Sequence, residues 1–515
     1  MEIGVVTCVG GNYAQYLDDW ARSILSQTVK PDQIGIVDNA CDDPSEVERV
    51  ANLLGARLLR LDRKVNYGRA RNIAVSLTDT EWVQHFDCDD TMLPWALEET
   101  AATLERHPEA DVIQWNWKKT VGGKVATRNY RAMEGRQVLQ AAAKASGPSP
   151  FRRVLWEQAP YDDSLEAAWD TGLWIGFAHL GAKFRPTSRL CFDYRQHDDS
   201  LLNSRVRDTD KLPLRKRVSD RLTELAAVPL ERAVVVMPWR DSGDPHRRRT
   251  MEWTTARWER YGFRVVHSPD DDGNVLWNLS QARNNGVKVA NARAVIVADS
   301  DVMVEKETID RALSLCFVTP WVVPHENVHR MSEEATVRML KVDGDLPAPG
   351  STIRAPYLGY EGGGLIVITP GQYWAAGGYD ERFAGWGCED EAFGAAARTL
   401  IGKPERIASP LWHLYHPPGR RQKSEGYDRN VALLRRYRAV MGDPAGMAEL
   451  VGSDAEVDPG FTLPAVFRSR YLNFVVMVPG GRRIKFDKGR YVARDFKTAA
   501  YLMYGVDAVE LEGVS

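Results

Sequence analysis

Residues 82–90, WVQHFDCDD, and residues 294–301, AVIVADSD, decide the fold: in each, an apolar strand-like run stops on two carboxylates one residue apart. The same pattern stands upstream of both. Asn66, Ala70, Arg71, Asn72, Asp87 and Asp89 match Asn278, Ala282, Arg283, Asn284, Asp299 and Asp301, every pair 212 positions apart. N-x3-A-R-N is thus followed in both copies by fourteen residues and then D-x-D. Six matches at one offset mark a duplicated unit, and a period of this size is a domain, not a solenoid repeat.

Outward from these tips, the runs IGVVTCV (3–9), IGIV (34–37), RLLRL (57–61), AVVVM (233–237) and RVVH (264–267) alternate with helix-patterned segments. Short apolar strands alternating with helices predict an α/β chain with mostly parallel, Rossmann-like sheets. The pattern places a first domain at 1–205, a charged helical linker at 206–230 and a second domain at 231–445. Turn formers crowd 442–464, and 462–515 reads as a small α+β module with a structural or docking role: strands in YLNFVVMV, RRIKFD and RYVARDF, then a helix in TAAYLMYG.

Composition removes several classes. The 515 residues suffice for several cores, and 67 Lys+Arg against 70 Asp+Glu leave a net charge of −3, without the basic excess of a general nucleic-acid binder. No run approaches the roughly 18 apolar residues of a membrane span. The start, MEIGVVTCVGG, lacks the basic segment of a signal peptide, so a cytoplasmic protein is expected. Six scattered cysteines without a CxxC pair indicate neither a disulfide framework nor a zinc cage.

Strand ends are where open α/β sheets bind ligands. Two carboxylates there repel each other unless a cation or hydroxyl donors compensate them, and their oxygens suit Mg²⁺ or Mn²⁺. Such an ion bridging a diphosphate would neutralise a departing phosphate. A lone D-x-D also describes a solvated acidic turn. Asp87 to Glu98 has the length of an EF-hand loop, but Met92 stands where that loop needs glycine. Arg71 and Arg283, on helix-patterned segments, can meet phosphate or clamp the motif's own carboxylate.

The first half resembles the family 2 glycosyltransferases, which have the GT-A fold. VVTCVGGNYAQYLDDWARSILSQT and IVDNACDD look like that family's opening strand, first helix and uracil-binding turn. NYGRARNIAV, FDCDDTMLP, AWDTGLWIGFAHLGAKFRP and YRQHDDSLL look like its later signatures. The second half resembles the galactosyltransferase and N-acetylgalactosaminyltransferase branch. Its marks are VVMPWRDS, VADSDV, EGGGLIVITPGQYWAAGGYDERFAGWGCEDEAFG and LYHPPG. The tandem is similar to bacterial chondroitin and hyaluronan polymerases.

The resemblance implies two GT-A domains using a nucleotide-sugar, by preference a UDP-sugar, a glycan or protein hydroxyl as acceptor, and Mn²⁺ or Mg²⁺. In the second domain it implies Asp390 as general base, Asp301 and His416 as metal ligands with His413 a nearby competitor, and Asp299 on the ribose or assisting the metal. It also implies Pro238 and Arg240 on the nucleotide, Arg283 beside them, and Trp386 and Glu389 around the acceptor. In the first domain it implies Asp38 on the base, Arg71 and Asp87 on the nucleotide, Asp89 on the metal, Asp170 as base and His197 as a third metal ligand or a structural residue. Trp169 departs from the glutamate usual before the catalytic aspartate, and Cys388 replaces a usual glycine. An aspartate at 390 implies inversion at the anomeric carbon. The stretch VVMVPGGRRIKFDKGRYVARDFKTAAYL resembles small modules of bacteriophage virion proteins, which implies a phage enzyme acting in the host cytoplasm on virion protein. Two other classes remain open: a degenerate carbohydrate- or nucleotide-binding scaffold, and a nucleotidyltransferase or metal-dependent hydrolase.

Overall fold

The computed structural model describes residues 1–121, 124–141, 147–195, 212–271, 276–341, 352–385, 387–416 and 427–452, plus 465–469, 475–478, 482–488, 490–493 and 509–511. His197, Trp386 and the helix expected in TAAYLMYG lie outside these residues.

The first half is built on strand Ile3–Gly11, which pairs in parallel with Gln33–Cys41 on one side and Trp82–His85 on the other. Arg57–Arg60 extends the sheet beyond Gln33–Cys41. Strand order therefore reverses beside Ile3–Gly11, where α/β sheets open a crevice for ligands. Alternation along this strand serves two cores. Val5 and Val9 pack with Trp20, Ile36 and Trp82, while Val6 and Cys8 pack with Val37, Ala70, Phe151 and Trp174. Each fully buried valine contributes about 1.5–3 kcal/mol.

The second half repeats the plan. Glu231–Pro238 lies between Arg264–Ser268 and Ala292–Ala298, all parallel. Val235 and Met237 face one core, Val234 and Val236 the other. The expectation of mostly parallel sheets holds for these inner strands and for further pairs such as Val112–Val121 with Lys183–Asp193. Phe151–Arg152 and Leu365–Ile368 join the sheets antiparallel, so both sheets are mixed.

The repeated sequence pattern has a physical reason at each position. Asn66 and Asn278 are N-caps whose side chains accept from Gly68 N and Gln281 N, starting helices Tyr67–Ser76 and Leu279–Val289. Ala70 and Ala282 are fully buried, where the helix lies on the sheet. Gly286 permits the closest approach: a Cβ there would stand 2.3 Å from Val236 Cγ1.

A separate small sheet belongs to the second half. Val302–Met303 pairs antiparallel with Pro410–His413, which pairs with Asn327–Arg330. The segment read as a linker contains helix Leu212–Ala227, whose Leu225 packs on Leu165 and Ile175. The three expected C-terminal strands are seen at Val475–Val478, Arg482–Lys485 and Arg490–Ala493. Among the described residues no helix is long and apolar enough to cross a membrane.

Candidate active site

One arrangement occurs twice. Arg71 donates from one terminal nitrogen to Asp170 Oδ1 (2.6 Å) and from the other to Asp87 Oδ1 (2.7 Å). Arg283 does the same to Asp390 Oδ1 (2.8 Å) and Asp299 Oδ1 (2.7 Å). Each guanidinium is buried, and each aspartate keeps a fifth to a third of its side chain exposed. A planar fork is suited to holding two carboxylates at fixed separation. Arg71 and Arg283 thus clamp the motif's own carboxylate and join it to a distant one. Burial disfavours charge on both guanidiniums, but the paired aspartates, with Tyr379 around Arg283, keep them protonated.

The distant carboxylates arrive on helices Trp169–His179 and Glu389–Leu400, in whose first turns Asp170 and Asp390 lie. The residues before these helices, Ala168 and Cys388, both have positive φ (56° and 81°), a conformation that costs a side-chain-bearing residue about 1–2 kcal/mol. Behind each arginine sits a tyrosine absent from the sequence reading. Asn72 bonds both backbone groups of Tyr161, and Asn284 those of Tyr379. The tyrosine rings lie 5.7 Å and 4.4 Å from the guanidiniums. The signal was available: Y-D-D at 161–163 and Y-D-E at 379–381 repeat as well.

The copies differ beside the aspartate. Trp169 stacks 5.6 Å from the Arg71 guanidinium. Its counterpart Glu389 is instead a carboxylate pushed up to about 8, chiefly by burial and then by Asp390. Asp87 and Asp299 are also raised by burial, an effect Arg71 and Arg283 only partly offset. A raised carboxylate stabilises the fold below its ordinary value of 4.5, and that stability is lost as pH rises through about 8. In chelator, the thermal midpoint is expected to fall from pH 5 to 8, with a shallower fall in Glu389→Gln. Equal slopes by calorimetry would contradict this.

Asp301, His413 and His416 form a further cluster, with one ligand-capable atom from each within 4.8 Å of the others. The small sheet accounts for it: Val302 is paired with His413, and Leu414 N donates to Asp301 O (2.8 Å). His416 Nε2 lies 3.1 Å from Asp301 Oδ2. Burial works against ionised Asp301, but His413, His416 and Arg247 hold it below the usual carboxylate range. Arg247 reaches His416 Nδ1 (3.1 Å), and Arg330 reaches His413 Nε2 (3.2 Å). His413 Nδ1 faces Leu414 O at 3.0 Å, a pairing that assigns its proton to Nδ1 and leaves the Nε2 lone pair to accept from Arg330, a donor that a metal ion would have to displace. One carboxylate and two imidazoles fit a divalent ion, and the imidazoles suit Mn²⁺ better than Mg²⁺.

The strand edges carry the remaining expected residues. Asp38 is buried, accepting from Cys41 N (2.8 Å) and Arg60 Nε (2.9 Å). Pro238 ends its strand, and Arg240 is paired with buried Asp270 and lies 5.2 Å from the Trp277 ring. Asp270 was missed, although the acidic turn PDDDG after RVVHS marks it. In the first copy, Asp89 adjoins Asp90, which is buried and accepts from Arg195 N (2.9 Å). Thr91–Met92, just after this tip, pairs antiparallel with Phe192–Asp193, as Val302–Met303 pairs with Pro410–His413 in the second copy.

Comparison with known proteins places both regions. Residues 5–163 match the profile of Glycosyl transferase family 2, and residues 348–417 match that of the N-terminal domain of galactosyltransferase. The first match includes Asp38, Arg71, Asp87 and Asp89; the second includes Asp390, His413 and His416. The architecture is therefore a family 2-like unit followed by a galactosyltransferase-like one. An uncharacterized glycosyltransferase of Haemophilus influenzae is 29% identical over 121 residues, 22% of this chain and 45% of the relative. The S. aureus TarS 1–349 structure is 20% identical with a TM-score of 0.33, covering 38% of this chain and 60% of that one. Glucosyl-3-phosphoglycerate synthase from Mycobacterium tuberculosis is 19% identical with a TM-score of 0.32, covering 47% of this chain and 82% of that one. The chain spans less than half of the curated relative and about three fifths of the TarS chain.

Proposed function

We propose that the chain is a metal-dependent inverting glycosyltransferase that moves a sugar from a nucleotide-sugar, taken as a UDP-sugar, to a hydroxyl of a glycan or protein. The observation that carries this reading is the second cleft, where Arg283 holds Asp390 and Asp299 together and the Asp301–His413–His416 cluster adjoins the same strand end. The two profile matches support it, and the C-terminal resemblance adds virion protein to the candidate acceptors.

Asp390 accepts the proton of the acceptor hydroxyl as its oxygen forms the new bond to the anomeric carbon. The bond from that carbon to the diphosphate breaks on the opposite face. A general base must stand within hydrogen-bond reach of that hydroxyl, and Arg283 fixes one Asp390 oxygen so that the other is presented. Asp301, His413 and His416 would hold the metal, which when bound supplies positive charge to the leaving diphosphate. Arg247, beside them, adds a cation to the same edge. Asp299 takes the ribose, Arg240 with Asp270 the nucleotide, and Glu389 with Trp386 the acceptor. In the first half Asp170, Asp87, Asp89 and Asp38 fill the matching roles on a second donor. Trp169 in place of a carboxylate favours a second reading for that half alone, a nucleotide- or glycan-binding unit.

Gly363 supports the base. A Cβ there would stand 2.7 Å from Asp390 Oδ2, so Gly363→Ala must push the carboxylate aside. Displacement by such a fraction of an ångström to an ångström is expected to cost about a hundredfold in turnover with UDP affinity unchanged. Steady-state kinetics and calorimetry check it.

Incubation with UDP-sugars, Mn²⁺ and candidate acceptors, followed by UDP release and intact-mass analysis, tests the reading. Metal-dependent release of UDP with a hexose-sized gain in acceptor mass is expected. A nucleoside monophosphate attached to product, or no release with any donor, would overturn it.

A further inference from the structure

Both copies hold the same segment from within, through Asn72, with Asn66 at Leu165 just beyond it, in the first half and Asn284 and Asn278 in the second, and the first half's segment is also fastened from the other half. In the second half, Tyr379–Glu381 is held from within: Asn284 donates to Tyr379 O and Glu381 Oε1, and Asn278 donates to Glu381 O, each at 2.8 Å. In the first half, the matching segment Pro160–Asp163 is also fastened from the other half. Arg293 Nη1 donates to Pro160 O at 2.6 Å. Thr369 Oγ1 donates to Asp163 Oδ2 at 2.7 Å, and Arg69, on the helix that carries Arg71, reaches both that oxygen (3.5 Å) and Cys316 O (3.4 Å). Thr369, Arg69 and Asp163 are almost wholly buried.

The fit is close on both sides of the junction. A Cβ at Gly176 would stand 2.3 Å from Arg293 Nη2, and one at Gly371 2.6 Å from Asp163 Oδ1. Val318 packs onto the first half's core. What is fastened adjoins the first cleft: Tyr161 is bonded by Asn72, and its ring lies 5.7 Å from the guanidinium that clamps Asp87 and Asp170. Trp156 Nε1 donates to the same Asn72 side chain (2.8 Å).

We propose that Arg293 and Thr369 of the second half are positioning residues for the first cleft, fixing Pro160–Asp163 so that Tyr161 and Arg71 hold Asp170 in place. Arg293 and Thr369 make these bonds in addition to those from Asn72, whereas the second cleft's matching segment is held by Asn278 and Asn284 of its own half. The inference rests on the proposed function only where turnover is its readout. A polar bond between rigid units transmits position because buried, close-packed contacts cannot relax into open space.

The test uses the full-length chain in two backgrounds: Asp390→Asn, which isolates the first cleft, and Asp170→Asn, which isolates the second. Release of UDP from UDP-GlcNAc and UDP-glucose with Mn²⁺ is measured in both, and hydrogen–deuterium exchange is followed over residues 160–171 and 379–390. Arg293→Met is expected to lower first-cleft kcat about tenfold with KM little changed, to speed exchange at 160–171, and to leave 379–390 and second-cleft kinetics as they were. Arg293→Lys, which retains a donor, restores the first cleft. Thr369→Val is the second variant, with Thr369→Ser as its conservative control, should Arg293→Met not fold. Equal loss at both clefts, or unchanged exchange at 160–171, overturns the proposal. An Asp390→Asn chain with no turnover overturns the enzymatic reading of the first cleft instead, and exchange then decides the bracing by itself.

Discussion

Asp390→Asn is expected to lower transfer at the second cleft by about 10²–10⁴-fold, the range that a positioned general base supplies. Asparagine keeps an oxygen to accept from Arg283 Nη1, so the 2.8 Å contact and the fold around it survive. What is lost is the lone pair that takes the hydroxyl proton. Affinity for UDP and Mn²⁺ should change little, because Asp301, His413, His416 and Arg240 are untouched. The first cleft could mask the effect, so the comparison is made in an Asp170→Asn background. Wild-type rates of radiolabelled sugar transfer in the doubly substituted chain would refute the base assignment.

Removing a metal ligand is expected to have the next largest effect. Asp301→Asn takes away the negative charge beside two imidazoles and two nearby arginines. His416→Ala opens the 3.1 Å contact with Asp301, and His413→Ala removes the ladder-held imidazole. Substituting even residues that merely orient a metal ligand costs 10–100-fold in affinity, so each of these should weaken Mn²⁺ at the second cleft by at least about a hundredfold. Isothermal calorimetry with Mn²⁺ in the presence of UDP reads this directly. Affinity within a few-fold of wild type for all three variants would remove the cluster from the account.

The parts legible in the sequence are those set by local rules. Asn66 and Asn278 are helix caps, Ala70 and Ala282 pack where the helix meets the sheet, and Asp87 and Asp299 follow buried strands. Each reads off from a few neighbours, which is why both copies keep the same spacing. The rest depends on pairing between distant segments. Arg283 meets Asp390 across 107 positions and Asp163 meets Thr369 across 206, and no periodicity announces either. His413 was read as a competitor of His416, because only the ladder with Val302 sets both imidazoles beside Asp301. The antiparallel entry of Leu365–Ile368 was missed for a similar reason: a short buried strand has no direction in its sequence.

In the proposed function a divalent ion sits among Asp301, His413 and His416 and faces the leaving diphosphate. Anomalous scattering at the manganese edge, from crystals grown with Mn²⁺ and UDP, tests it most directly. A peak is expected within about 2.0–2.4 Å of a carboxylate oxygen of Asp301 and an imidazole nitrogen of both His413 and His416. A peak on other residues, with those three side chains unligated and UDP bound elsewhere, would contradict it.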